Sequence, residues 1–277
     1  MNPLSKSSHN DSEMPFLEHV EVLRWHIVRS LITIAAASAI VFVNKTFVFD
    51  TLLFGPVTKD FITYRALCWV SSRIALGKAL CIESFSFSFI NIELAGQFMV
   101  HLKTSVLLGF IIAFPYIFWE FWRFVRPALH EREARYARGV VFFSSLLFFI
   151  GVLFGYFILI PTMLNFLGNY QVSAQVQNNF TLTNYIGFIS MFMLASGGIF
   201  ELPMVVYFFS KLGLLTPAFM RRYRRHAVVI ILVAAAIITP SPDIGSQVLV
   251  FIPVYFLYEI SIFISARVEK NRAAAVQ

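Results

Sequence analysis

Charge is what this sequence has least of. Only 13% of its 277 residues are Asp, Glu, Lys or Arg, while 58% are hydrophobic; a soluble domain carries about 25% charged residues. So little polar surface excludes an ordinary water-soluble globule. The opening segment, MNPLSKSSHNDSEMPFLEH, lacks an apolar core followed by a small-residue cleavage site, so we expect neither a signal peptide nor a transit peptide there. No internal repeat or low-complexity stretch is present, which removes the inverted-repeat plan common among secondary transporters. His130, Glu131 and Glu133 lie together but lack HExxH spacing and a third ligand, and His19 and His26 fall two turns apart. With no metal constellation and no nucleophile beside a base, we expect no metal, no cofactor and no enzyme activity. Cysteine is nearly absent: Cys68 and Cys81 are the only two.

What is present is apolar runs of spanning length, separated by basic turns. The segment FWEFWRFVRPALHEREARYAR, 118–138, marks an exit: Trp119, Glu120, Phe121 and Trp122 crowd the end of an apolar run, and arginines follow at 123, 126, 132, 135 and 138. Indole rings favour the headgroup layer and Lys/Arg are retained inside, so this exit is expected to face the cytoplasm. The net charge of +7 then reflects positive-inside placement and not nucleic-acid binding.

In chain order, a helix is expected from Pro15, with Phe16, Val20, Leu23 and Ile27 on one face, as an amphipathic element at the interface. It feeds a first span, Ile27 to Val43. Residues 47–103 read as a long outside loop with a helical turn or two. Spans follow at about Thr104 to Val125, Gly139 to Ile160, Ile186 to Phe209, Ala227 to Ile238 and Val248 to Ile264. The expected fold class is an all-α membrane protein, six transmembrane helices in a curved bundle, as one domain over 1–277 with flexible tails at 1–14 and 266–277. Sixteen of the 22 Lys and Arg residues fall on one proposed side and six in the first loop, so both termini are expected in the cytoplasm.

Four segments in order carry a resemblance: EHVEVLR before the first span, PYIFWEFWRFVRPALHERE ending the second, SGGIFELP in the fourth, and TPSPDIGSQ before the last. Together they resemble the TatC family, the multispanning receptor subunit of the twin-arginine protein translocase, over about Phe16 to Ile264. The resemblance implies a bacterial cytoplasmic (inner) membrane protein that recognises twin-arginine signal peptides on folded precursors. It also implies single-span TatA- and TatB-type partners, a homo-oligomer within a receptor complex, contact with membrane lipid and not nucleic acid, and transport driven by the proton-motive force.

Residue by residue, the resemblance implies a signal-binding site. Glu133 stands where the family has its signal-binding glutamate, in the pattern Phe124, two residues to Arg126, Pro-Ala-Leu, three residues, Glu. A carboxylate there suits a planar guanidinium held bidentately; Glu131 reads as a bland neighbour. The amino-terminal site departs from the family: Val22 occupies the second glutamate's place, while Leu23 and Arg24 match. Glu21 points elsewhere on a helix and Glu18 lies one turn before Val22, so both stand as replacements.

Glu201 is an acid well inside a span, which marks a partner-seeking group by default; the resemblance assigns it to a polar side chain of a TatA-type helix. An internal bond to Ser or Thr of a neighbouring span is the plainer reading. Glu259 is similar, with more weight on structure. A proton-linked small-molecule transporter using Glu201 and Glu259 is the rival reading. Gly197 and Gly198 allow close approach of another backbone. Pro56, Pro115, Pro203 and Pro253 read as structural, as do Asp243, expected to cap a helix near Ser246, and Gln247. Cys68 and Cys81 share one outside loop and are expected to form a disulfide.

Overall fold

A computed structural model describes residues 16–58, 60–73, 88–125, 137–173, 175, 178–239 and 244–276. The tail expected at 1–14 lies outside the described residues. Among the described residues, five helices are long and apolar enough to cross a membrane: Val20–Val43, Gly96–Val125, Gly139–Asn169, Leu182–Lys211 and Gln247–Asn271.

The first helix, α1 (Phe16–Val43), is a single rod. The interfacial helix and the first span expected as separate pieces are one element, because no Gly or Pro falls between Phe16 and Val43. It packs most extensively on α3 (Gly96–Val125). Their backbones nearly touch at Gly109, where an added Cβ would sit 2.7 Å from the Ser38 backbone nitrogen. The helix α3 begins two turns before the expected Thr104. His101 belongs inside it, stacked on Phe42 with ring centroids 4.0 Å apart and its Nε2 3.0 Å from the Phe42 carbonyl oxygen.

The described residues between α1 and α3 hold more regular structure than the loop expected there. A π-helical segment, Phe47–Leu53, and a 3-10 turn, Gly55–Val57, precede α2 (Ile62–Arg73), and β1 (Ser88–Ile90) pairs in parallel with β2 (Asn179–Thr181). The carbonyls that end the π segment are met from other helices: Tyr156 donates to Leu52 O and Tyr185 to Leu53 O, each at 2.6 Å. Tyr64 donates to the buried Pro56 at 2.7 Å, and burial pushes its hydroxyl above the usual range. These bonds make a cap over one end of the bundle.

The third span continues past the expected end at Ile160. It runs through α4 (Ala137–Phe154), a π-helical segment at Gly155–Leu159, and α5 (Ile160–Asn169). Pro161 has no N–H for the carbonyl four residues back, at Phe157, and the Thr63 hydroxyl from the cap donates to that oxygen instead. The fourth span is broken at Glu201, between α6 (Leu182–Phe200) and α7 (Leu202–Lys211). Pro203 therefore sits in the first turn of a helix, where its missing donor costs nothing.

A short α8 (Pro217–Arg222) leads to α9 (Arg224–Ile238). With 15 residues α9 extends the expected fifth span by three at its start, yet it covers only about 22 Å. The last helix, α10 (Ile244–Val276), runs on through the tail expected from 266, where Ala, Arg and Lys favour helix. It packs on α7, with Ser210 donating to Ser265 at 2.8 Å between two buried hydroxyls.

Helices α4 and α6 approach so closely that only glycine fits on the α4 side. A Cβ at Gly151 would lie 2.6 Å from the Ser196 carbonyl oxygen, and one at Gly155 would lie 2.8 Å from that of Phe192; this small-xxx-small spacing is the membrane solution for close helices. Of the glycine pair in α6, Gly197 faces this contact and Gly198 meets nothing within 4 Å. Replacing Gly151 by Val is expected to destabilise the folded protein by about 1–3 kcal/mol, as overpacking does. Gly187→Ala, where a Cβ meets nothing within 4 Å, is expected to be neutral or slightly stabilising. Thermal unfolding in one detergent compares the two; equal melting temperatures for both variants would contradict the close contact.

Candidate functional site

Two groups of side chains stand out at and near the basic end of the bundle, opposite the cap. The first lies where α3 ends beside the early turns of α1. Glu120 is 1% exposed, and a carboxylate buried this deeply persists only when its oxygens are met. His26 on α1 donates from Nδ1 to Oε2, Arg123 Nη1 lies 3.5 Å from Oε1, and the Tyr116 hydroxyl lies beside the same carboxylate. The other edge of His26 faces Phe124, with centroids 6.3 Å apart at 67°. Spacing explains the convergence: Tyr116, Glu120, Phe124 and Arg123 are three or four residues apart and share one helix face.

Aromatics packed around this exit are not all at a lipid boundary, as the sequence suggests. Trp122 is buried against Val140 and Val141 of α4, with Met204 and Tyr207 of α7 alongside, while Phe121 on the opposite face is exposed. The Trp-rich end of α3 is therefore partly core, joining three spans.

The second group surrounds Glu201. Ser144 of α4 donates to its Oε2 at 2.8 Å, and its Oε1 is buried with no hydrogen-bond partner among the described residues. The plainer sequence reading, a bond to a serine of a neighbouring span, accounts for one oxygen and leaves the other open. Glu259 is different: Arg224 at the start of α9 donates to Oε2 at 2.7 Å, joining α9 to α10, and Tyr255 of α10 itself donates to Oε1 at 3.0 Å, so both oxygens are engaged. The two acids thus have separate partners. A cavity of about 610 Å³ lies at the cap, lined among others by Lys45, Asp50, Phe89, Gln97 and His101, and neither acid lines it.

Of the sequence-predicted signal-binding residues, Phe124 is half-buried as the penultimate residue of α3, and Leu23 is half-buried in α1. Glu21 and Arg24 are exposed and form no ion pair with a described residue. Glu18 falls within α1. Arg126 and Glu133 lie outside the described residues, as do Cys81 and Asp243. Cys68 is disulfide-bonded, and the chain has one other cysteine. The last helix starts at Ile244, two residues before the start expected at Ser246. Gln247 donates to Leu232 O at 3.1 Å, tying α10 to α9. Pro115 and Pro253 are helix-interior. Sequence reasoning missed the bond between His26 and Glu120. Its signal is an acid placed among aromatics at a span end, with a histidine one turn beyond the Val22 position.

The family model described as Sec-independent protein translocase protein (TatC) matches residues 18–253. The chain is 41% identical to the Sec-independent protein translocase protein TatC of Blattabacterium sp. subsp. Periplaneta americana, over 94% of this chain and 98% of that one. It is 33% identical to the protein of that name from Aquifex aeolicus, over 91% and 94% of the two chains. Among solved structures, a crystal structure of the twin arginine translocase receptor TatC matches with a TM-score of 0.66 at 33% identity, covering 89% of this chain and 97% of that one. A second, in DDM, matches with a TM-score of 0.65 at 34% identity, covering 88% and 98%. On sequence and on fold alike, this chain belongs to the TatC family of Sec-independent protein translocase proteins.

Proposed function

We propose that this chain is the signal-peptide receptor of a twin-arginine translocase, binding paired arginines of folded precursors at the basic end of its bundle. The observation that carries the reading is the meeting of α1 and α3 at that end. The turns of α1 that hold Glu18 and Glu21 lie next to the helix end from which the chain enters residues 126–136, with Glu133. Acids from both segments then address one extended peptide, and guanidinium groups are better matched to such carboxylates than ammonium groups.

The topology we propose has six spans, α9 being the fifth, arranged as a curved bundle with both termini in the cytoplasm of a bacterium and the cap outside its inner membrane. Prolines inside α3 and α10, and the break at Glu201, favour curvature. On this reading the free Oε1 of Glu201 receives a polar side chain from a single-span TatA- or TatB-type helix, copies of the chain assemble within a receptor complex, and the proton-motive force drives transport. The Cys68 bond is to Cys81 and closes a loop in the outside segment.

Three outcomes test this. Glu133→Ala is expected to weaken binding of a twin-arginine peptide at least about tenfold, the scale of one charge-assisted hydrogen bond, with little change for Glu131→Ala. Equal losses at the two positions, measured by peptide cross-linking and titration, would argue for general electrostatics and against a defined site. Neutralising Glu18 and Glu21 together to Gln is expected to weaken the same binding, and Val22→Glu to restore it; unchanged affinity in the double variant would leave α1 without a recognition acid. Finally, Glu201→Leu is expected to abolish export in vesicles while signal-peptide affinity stays within about twofold. Normal export by that variant would remove Glu201 from partner assembly.

A further inference from the structure

We propose that His26 and Glu120 are positioning residues for signal recognition: their bond fixes the register of α1 against the end of α3, and so holds the turns of α1 that carry its acids in place for the peptide. The inference rests on the receptor reading above and names a pair which that reading does not require. Glu120 and His26 are 94 residues apart in sequence and join α3 to α1.

The geometry explains why a polar pair is needed. The contacts of Ser38 with Gly109 and of Phe42 with His101 hold α1 to α3 nearer the cap and leave the early turns of α1 to be placed, where a slide or tilt would shift the acids they carry. A directional bond does not tolerate such a slide, since one helical turn moves a group about 5.4 Å. The close contact of Ser38 with Gly109 fixes one point. His26 with Glu120 fixes a second, 12 residues earlier in α1 and so about 18 Å away. Two fixed points set translation and tilt together.

The position along each helix matters as much as the bond. Glu18, Val22 and His26 follow at four-residue intervals, one stripe of α1. On α3, Glu120 precedes Phe124 by one turn, and His26 touches both, donating to one and meeting the other ring to ring. Helix α3 ends at Val125, one residue beyond Phe124. Arg123 and Tyr116 hold the carboxylate from its own helix, so the acid's orientation is set before α1 is counted. If His26 is lost, the buried carboxylate keeps only its own helix for support and α1 is no longer held to it.

The test uses the full chain in lipid nanodiscs, a fluorescent twin-arginine signal peptide and its twin-lysine counterpart, with melting temperature recorded for every variant. His26→Ala and Glu120→Ala are each expected to weaken twin-arginine peptide binding about tenfold, and the double variant no further, because the two act as one unit. Exchanging the residues, His26→Glu with Glu120→His, is expected to recover binding to within about threefold of the parent. Glu120→Gln keeps the shape and serves if the alanine variants fail to insert; it is expected to lose affinity by about threefold or more. Variants with a lower melting temperature but parental affinity would reduce the pair to a structural contact and overturn the proposal. So would losses that add in the double variant. A parent protein that binds both peptides equally would instead overturn the receptor reading.

Discussion

A backbone carbonyl or amide in hydrocarbon has no water to turn to, and the architecture of this chain follows from that constraint. Regular helix answers it almost everywhere. Where helix fails, another segment supplies the missing bond. The carbonyl left by Pro161 is met by Thr63, and those at the end of the π segment by Tyr156 and Tyr185. The cap is consequently not an appendage. Its hydroxyls and those of the spans complete one another's hydrogen bonding, so the region that looks like a loop is a structural member of the bundle.

Polar side chains obey the same constraint with more variety. Glu259 is fully engaged by Arg224 and Tyr255, Glu120 by groups from two helices, and Glu201 by Ser144 on one oxygen only. The three acids form a gradient from structural to open. The open one sits at a break in its helix, next to a close interhelical contact, where Gly151 meets Ser196 and Gly197. A rigid frame and an unfinished polar site therefore lie side by side, an arrangement that keeps the site in place while leaving one bond to be made.

Much of this was legible in the sequence because hydropathy and basic turns are local signals. Four of the five long spans could be placed from them within about two turns at each end, and the motifs at 18–24, 115–133, 196–203 and 239–247 identified the family. What stayed hidden was non-local. Pro161 looks like a helix end unless the Thr63 hydroxyl is known to meet the freed carbonyl. The segment 47–73 looks like loop because its helices are short and its stabilising tyrosines lie about a hundred residues away. Helix α1 looked like two pieces because charge near its start suggested an interface, although nothing in its sequence breaks the helix. Glu120 read as one member of an aromatic belt, since only the fold brings His26 to it.

Taken as the fifth span proposed above, α9 has through its brevity a mechanical consequence for the lipid. A helix covering about 22 Å beside a hydrocarbon core of about 30 Å leaves a deficit of about 8 Å. Neighbouring spans are longer by ten residues or more, so the deficit is confined to one side of the molecule, and lipid there must compress or bend. At fractions of a kcal/mol per ångström, that deformation stores on the order of a few kcal/mol. A second apolar helix arriving at this flank relieves the stored elastic energy whatever its sequence, so the membrane itself biases where other chains gather around this one.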